Sequence, residues 1–270
     1  MIDTIASRDN SLLRQARAVR DGKIDELIYV EGLRLSEEAQ RSNLTIEAVI
    51  VSAELLRKDR AAQAIAELSH VSKRTVSVSE KLLESISYTK TPQGIVVLAE
   101  RPGSSEARLT ESVEANPLLV VLHQINNPVN VGAILRTAEA AGATGVIATK
   151  NTSDPFSPKA LRGAMGSAFR LPIWSGPSFE EAVEWCRERG IVTACADAEA
   201  TTDYTNVDWT NGTALFVGRE STGFTAEELM NADLSVKIPM RGLAESLNVS
   251  VATGILLFEA ARQRAAKIPQ

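Results

Sequence analysis

Three clusters in this chain combine polar side chains with a strand end and a helix start, the places where backbone groups are free to meet a ligand. The richest is IPMRGLAESLNVSVATGILLFEAARQR. There a strand expected over 236–239 gives way to a glycine-bearing loop and then to Ser246, Leu247 and Asn248, directly ahead of a long apolar helix. Ser246 and Asn248 can offer a hydroxyl and an amide to a ligand, with Ile238 and Leu247 as apolar walls. They can equally cap the helix, and the segment alone leaves both readings open. In NNPVNVGAILRTAEAAG an Asn-Pro turn precedes a helix. Asn130 is its expected N-cap, Gly132 allows close backbone approach and Gly142 ends it. Arg136 stands out beside Ile134, Leu135 and Ala138. It is either a functional cation or a side chain snorkelling to solvent. In ALFVGRESTGFTAEEL a buried strand runs into Gly218, Glu220 and Gly223. Two glycines around an acid suit a tight loop against a ligand. The capping box Thr225-x-x-Glu228 explains the helix start that follows, and leaves Glu220 unexplained.

These clusters need rigid elements behind them, and the sequence supplies two sets. Residues 1–100 read as a small α/β domain: helices near 11–20, 33–41, 58–68 and 80–86, and strands at 27–30, 48–51, 76–78 and 94–99. The stretch 101–116, rich in Pro, Gly, Ser and Glu and without apolar period, reads as a linker. From 117 to 270 the alternation is cleaner. Short β-branched or Ala-rich runs at 118–122, 145–149, 191–196, 214–217 and 236–239 suit strands buried on both faces. Helices fall at 131–141, 158–165, 179–189, 226–230 and 249–266. This order predicts a parallel, doubly wound sheet with its ligand site at the strand carboxyl ends. The pattern GxGxxG is absent, so a standard dinucleotide site is unsupported.

Composition narrows the chemistry further. The chain of 270 residues is 44% hydrophobic and 23% charged, ordinary for a globular protein. No apolar run reaches the roughly 20 residues that span a bilayer. The N-terminus lacks an apolar signal core, so a cytoplasmic location is expected. Cys186 and Cys195 are too few for a disulfide framework or a zinc site, and are expected to be buried small side chains. His70 and His123 have no neighbouring metal ligands, so no metal is expected and His123 is read as structural. The net charge of −5 is awkward for nucleic-acid binding. Local basic patches remain, with Lys150, Lys159, Arg162 and Arg170 against Asp154, and Arg8, Arg14, Arg17, Arg20 and Lys23 near the start. Charge alone would read both as solvated surface.

Taken together and in order, the three clusters resemble the motifs of the SpoU (TrmH-like) RNA ribose methyltransferases of the SPOUT superfamily. Asn130, Gly132 and Arg136 carry the first motif, and Gly218, Glu220 and Gly223 the second. The third is carried by Ile238, Pro239, Ser246, Leu247, Asn248 and Ser250. The resemblance covers 117–264, including SPKALRGAMGSAFRLPI. Residues 1–100, through LIYVEGLRLSEEAQ and TPQGIVVLAE, are similar to the ribosomal-protein-like module that holds RNA in many of these enzymes.

The resemblance implies a trefoil-knotted C-terminal α/β domain that binds S-adenosylmethionine and transfers its methyl group to a ribose 2′-hydroxyl of RNA. It assigns cofactor contacts to Gly218, Ile238 and Leu247, with Ala196 beside them after Cys195. The catalytic group is Arg136, with Asn130, Glu220, Ser246 and Asn248 shaping the site. An arginine carries its charge at neutral pH, so its first task is to position hydroxyl and phosphate. The family works as homodimers with each site near the subunit interface, and Ile255, Leu256 and Phe258 could supply part of one or simply pack in the core. Large-subunit (23S) ribosomal RNA is the expected substrate. A transfer RNA, a role in antibiotic self-protection, and a non-catalytic RNA-binding or ribosome-assembly protein are the alternatives. Three residues depart from the usual pattern: Asn127 for Asp, Arg219 for a small residue, and Ser221 for Gly. Arg219 could alter phosphate contact or substrate choice.

Overall fold

A computed structural model of the chain describes residues 2–113 and 115–267. These fall into two compact units. One gathers the residues up to Pro102 together with Phe156–Arg170, and the other holds Gly103–Pro155 and the residues from Leu171 on.

The first unit follows the expected alternation: β1 (Asp3–Ile5), α1 (Ser11–Arg20), β2 (Leu27–Glu31), α2 (Leu33–Arg41), β3 (Ile46–Ser52), α3 (Asp59–Val71), β4 (Thr75–Val78), α4 (Glu80–Ile86) and β5 (Ile95–Glu100). The sheet order is β1-β4-β3-β5-β2. β5 runs antiparallel to both neighbours, while β1, β4 and β3 are parallel. Ile95–Ala99 and Val49–Val51 are fully or almost fully buried, which is why these runs read as continuously apolar. β1 was not expected, because three residues carry no readable alternation. The Asn10 side chain caps α1, accepting from Leu12 N at 2.9 Å. Leu13, Ala16 and Val19 of α1 pack with Tyr29, Ile50, Val96 and Leu98. The Tyr29 hydroxyl donates to the Ile86 carbonyl at 2.7 Å, so the one polar tip in that core is satisfied.

Two short helices from much later in the chain complete this unit: α7 (Pro158–Ala164) and α8 (Ser167–Arg170). α7 packs on β2, burying Ala160, Leu161 and Ala164. The Arg170 guanidinium reaches Glu38 of α2 at 2.7 Å. The sequence reading had placed this stretch with the C-terminal half.

The second unit contains α5 (Glu106–Ser112), β6 (Leu118–Leu122), α6 (Pro128–Ala140), β7 (Gly145–Ala148), β8 (Ile173–Ser175), α9 (Phe179–Glu188), β9 (Val192–Ala196), β10 (Thr202–Asp203), β11 (Thr213–Val217), α10 (Ala226–Asn231), β12 (Leu234–Lys237) and α11 (Val249–Lys267). Its seven strands are ordered β10-β12-β9-β11-β6-β7-β8 and every pairing is parallel. The register aligns Val217 with Leu122 and with Ala196, and Ala196 with Val236. Four strands therefore end level, and the loops that follow them leave one edge of the sheet. That is where a parallel sheet offers its ligand site.

The stretch expected to be a linker is partly ordered into this unit. The Ser105 side chain caps α5, accepting from Arg108 N at 3.4 Å, and Leu109 is fully buried in the core with Leu119, Val121 and Phe216. A Cβ on Gly145 would overlap Leu109, so the strand passes directly beneath the helix. A seven-residue helix with one wholly buried position leaves no periodic signal, which is why composition read it as a linker.

Candidate active site

The loops after β9, β11 and β12 enclose a cavity of about 820 Å³, and seven of the nine residues given catalytic or cofactor roles from sequence line it: Ala196, Gly218, Glu220, Ile238, Ser246, Leu247 and Asn248. Local chemistry sets each wall. β12 ends at Lys237 rather than at Pro239, because proline has no N–H to give the ladder. Ile238 and Pro239 thus leave the sheet and face the cavity. Gly218 follows the last residue of β11, and a Cβ there would stand 3.0 Å from the Phe224 ring. Gly223 closes the loop at φ +60°, a left-handed conformation that suits glycine. Ala252 and Leu256 of α11 form the apolar floor. Sequence reasoning missed those two, since they read only as helix core.

Asn127, not Asn130, caps α6. Its side chain accepts from Val129 N at 3.0 Å, and Pro128 takes the first helical position, where a missing N–H costs nothing. The sequence reading placed the cap three residues late. Asn130 is instead buried in the first turn, 6% exposed. Its Oδ1 accepts from Asn248 Nδ2 at 3.3 Å, while its own Nδ2 is buried without a partner. Asn248 does both jobs the sequence left open. Its Oδ1 accepts from Ser250 N at 3.0 Å and from the Ser250 hydroxyl at 2.6 Å, capping α11, while its amide reaches across to the first motif. A buried donor left unpaired carries a free-energy penalty, so the Asn130 amide is a group with capacity to spare.

Arg136 lies outside this arrangement. It is exposed, it does not line the cavity, and it has no hydrogen bond or ion pair among the described residues. Six residues separate it from Asn130, so at 3.6 residues per turn the two point roughly 120° apart around α6. The inward face of the helix belongs to Asn130, and Arg136 faces away.

The rest of the second-motif loop is organised by charge. Arg219 donates to Glu228 from both terminal nitrogens at 3.0 and 2.7 Å, from Nε to Gln124 Oε1 at 2.9 Å, and from Nη1 to the Gly223 carbonyl at 3.0 Å. Glu228 also closes the expected capping box with Thr225. Burial would raise its carboxyl, but Arg219, the Thr225 N–H and the His123 ring outweigh that and hold it down to about 2. His123, read as structural, is buried 2.8 Å from Glu228 Oε1 and 3.1 Å from the Thr149 hydroxyl. Burial pushes its pKa below the ordinary value against the pull of Glu228. The ring is therefore neutral at pH 7, with Nε2–H donating to the ionised Glu228 and Nδ1 accepting from Thr149. Nothing in sequence pointed to this group, whose members are spread over more than a hundred positions. Cys186 and Cys195 are buried, and their thiols are pushed up to about 12. Among the described residues no group of three His, Cys, Asp or Glu could hold a metal ion, and no helix is long and apolar enough to cross a membrane.

An all-parallel sheet whose strand-end loops enclose a cavity defines a ligand-binding α/β domain. Residues 117–258 match the SpoU rRNA methylase family, and residues 13–97 match the MRM3-like substrate binding domain. The chain belongs to the SpoU rRNA methylase family, and its second unit has the family's α/β-knot fold. It is 34% identical over 215 residues to the 23S rRNA (guanosine-2′-O-)-methyltransferase RlmB of Pseudomonas syringae pv. tomato, covering 78% of this chain and 86% of that one. It is 34% identical over 188 residues to the 23S rRNA (uridine(2479)-2′-O)-methyltransferase of Streptomyces viridochromogenes, covering 68% and 65%. The AdoMet-bound rRNA methyltransferase from Sinorhizobium meliloti superposes with a TM-score of 0.84 at 29% identity, covering 97% of this chain and 98% of that one.

The chain is accordingly an RNA 2′-O-ribose methyltransferase that uses S-adenosylmethionine. The cavity fits that group. Its volume is in the range of small-molecule sites, and the aliphatic walls of Ile238, Leu247, Ala252 and Leu256 stand beside the loops at the strand ends.

Proposed function

We propose that this enzyme methylates a ribose 2′-hydroxyl of 23S ribosomal RNA, and that Gly218, Ile238, Leu247 and Ala196 hold its methyl donor. One observation carries the assignment of the residues. The second and third motifs converge on a single cavity, and Asn248 ties that cavity by a hydrogen bond to Asn130, on the same helix as Arg136. The large-subunit target rests on the relatives, whose names specify 23S rRNA, and on the substrate-binding match over residues 13–97.

S-adenosylmethionine supplies an activated methyl group on sulfur, so the protein's work is orientation and charge. A ribose hydroxyl is a weak nucleophile until its proton is drawn away. Arg136 holds the hydroxyl against a neighbouring RNA phosphate, whose oxygen takes the proton, and stabilises negative charge as it develops on the hydroxyl oxygen. Asn130 offers its unpaired amide, Asn248 fixes the Asn130 carbonyl, and Ser246 and Glu220 give polar contacts at the cavity mouth. Holding the reacting groups in line is the main source of rate for such a transfer.

Arg136 does not line the cavity and faces away from Asn130, so we assign it to the site of a second copy in a homodimer. The apolar surface needed for that contact is present: Val129 of α6 and Val251 and Phe258 of α11 are 44%, 51% and 54% exposed on helices that pack on each other. The first unit, in which Phe156–Arg170 joins the N-terminal residues, would hold the RNA, and the second would carry out the transfer. The location is that of the ribosomal RNA, the cytoplasm.

Arg136→Ala should abolish methyl transfer while leaving S-adenosylmethionine binding within about threefold by calorimetry, since the residue acts on the hydroxyl. Full activity in that variant would refute the catalytic assignment. Mapping ribose methylation on 23S rRNA from cells with and without the gene names the nucleotide, and an unchanged map would refute the substrate.

A further inference from the structure

Arg219 directly follows Gly218 in the loop after β11, and the structure gives it specific work. The loop Gly218–Gly223 lines the cavity on one side. Glu220, Ser221 and Thr222 are exposed, and among the described residues their side chains make no hydrogen bond. Arg219 makes all the side-chain hydrogen bonds of the loop, four in number. It grips the far end of its own loop through the Gly223 carbonyl. It grips the start of α10 through Glu228. It grips Gln124, which follows β6 and holds a left-handed backbone at φ +55°, through Nε. Gln124 opens the loop that leads to Asn127 and the helix of Asn130 and Arg136.

The contacts form a closed ring. The Phe224 ring lies against Gly218 and stacks on His123 at 5.9 Å with the planes 13° apart. His123 bonds to Glu228, and Glu228 to Arg219, one residue from Gly218. A planar guanidinium with three nitrogens spent on three different segments fixes them relative to one another more tightly than a single-point ammonium could.

Resting on the cofactor assignment above, we propose that Arg219 is a positioning residue. Its guanidinium is turned inward to lock the cofactor-lining loop to the lead-in of the catalytic helix, rather than outward towards RNA phosphate. The lock pre-orders the loop, so its loss appears first as weaker donor binding.

Three variants test this: Arg219→Ala, Arg219→Lys, and Arg219→Ala combined with Glu228→Gln. The double variant removes the uncompensated carboxylate that could unfold the single one. The measurements are the S-adenosylmethionine Kd by calorimetry without RNA, the methyl-transfer kcat and KM, and thermal melting. The double variant should stay folded, melting below wild type, and bind the donor about tenfold more weakly, with KM for the donor raised and kcat changed less than about threefold. Arg219→Lys should recover only part of the affinity, because an ammonium cannot serve three segments at once. A folded double variant with wild-type donor affinity overturns the proposal, as does one whose only defect is a raised KM for RNA. If the wild-type chain itself fails to bind S-adenosylmethionine, the cofactor assignment falls first and this inference with it.

Discussion

The buried pair of Glu228 and Arg219 predicts how the stability of this protein should depend on pH. Glu228 titrates at about 2 in the folded chain against 4.5 for the free side chain. At about 1.4 kcal/mol per unit, that shift stabilises the ionised, folded protein by about 3 kcal/mol. This is an upper figure, because the Arg219 side chain keeps 22% of its surface in water. The sign follows from proton counting. A carboxyl with a lowered folded pKa contributes fully above 4.5 and loses that contribution as pH falls towards 2. By pH 3.5 the unfolded side chain is about 90% protonated and the folded one almost not at all, so about 1.4 kcal/mol should be gone. His123 adds to the same trend from higher pH. Its folded pKa is lowered from 6.5, so the unfolded chain takes up its proton first and stability declines as pH drops below that value.

Glu228→Gln isolates the carboxyl. Urea unfolding of both proteins at steps from pH 7 to pH 3.5 should show the variant weaker by about 3 kcal/mol at neutral pH, with the gap narrowing by about 1.4 kcal/mol at the acid end. Glu259, also held at about 2 by Arg262 and Gln263, titrates in both proteins and cancels from the difference. Parallel stability curves across the whole range would show that the Glu228 charge does not depend on its partners as described.

Two further outcomes test the remaining structure. Leu109→Ala should destabilise the second unit by about 2–5 kcal/mol in urea unfolding, because it empties a fully buried site under α5; a loss below about 0.5 kcal/mol would mean that 101–116 is only a linker. Phe258→Asp places a charge on the exposed face of α11, and should yield a monomer by sedimentation and lose methyl transfer while the fold persists. A dimer that survives this change would move the interface elsewhere.

The strands and most helices were legible because their physics is local. Apolar runs such as Leu118–Leu122 and Thr213–Val217 are buried on both faces and read as strands wherever they sit. Cluster order gave the cavity, since parallel strands deliver their following loops to one edge. Three things were out of reach. The cap of α6 went to Asn127 because Pro128 starts the helix earlier than hydrophobic period suggested. The edge strands β1, β8 and β10 are two or three residues long and carry too little pattern to detect. The tie between Arg219, Glu228, His123 and Gln124 depends on register between strands distant in sequence, which no spacing encodes. Sequence left Arg219 free to meet phosphate or to influence substrate choice; in the structure its side-chain hydrogen bonds go to Gln124, Gly223 and Glu228.

The placement of α7 and α8 bears on how the protein can be divided. The family match runs unbroken from 117 to 258, yet Phe156–Arg170 packs with the N-terminal residues. A truncation that keeps only the catalytic half would strand Ala160, Leu161, Ala164 and Phe169 in water, stripped of the surface they cover. Such a fragment should be sticky and poorly behaved even with its cavity intact. A soluble catalytic fragment would need those side chains recoloured with polar residues, and a transplanted RNA-binding half would need the α7–α8 segment carried along with it.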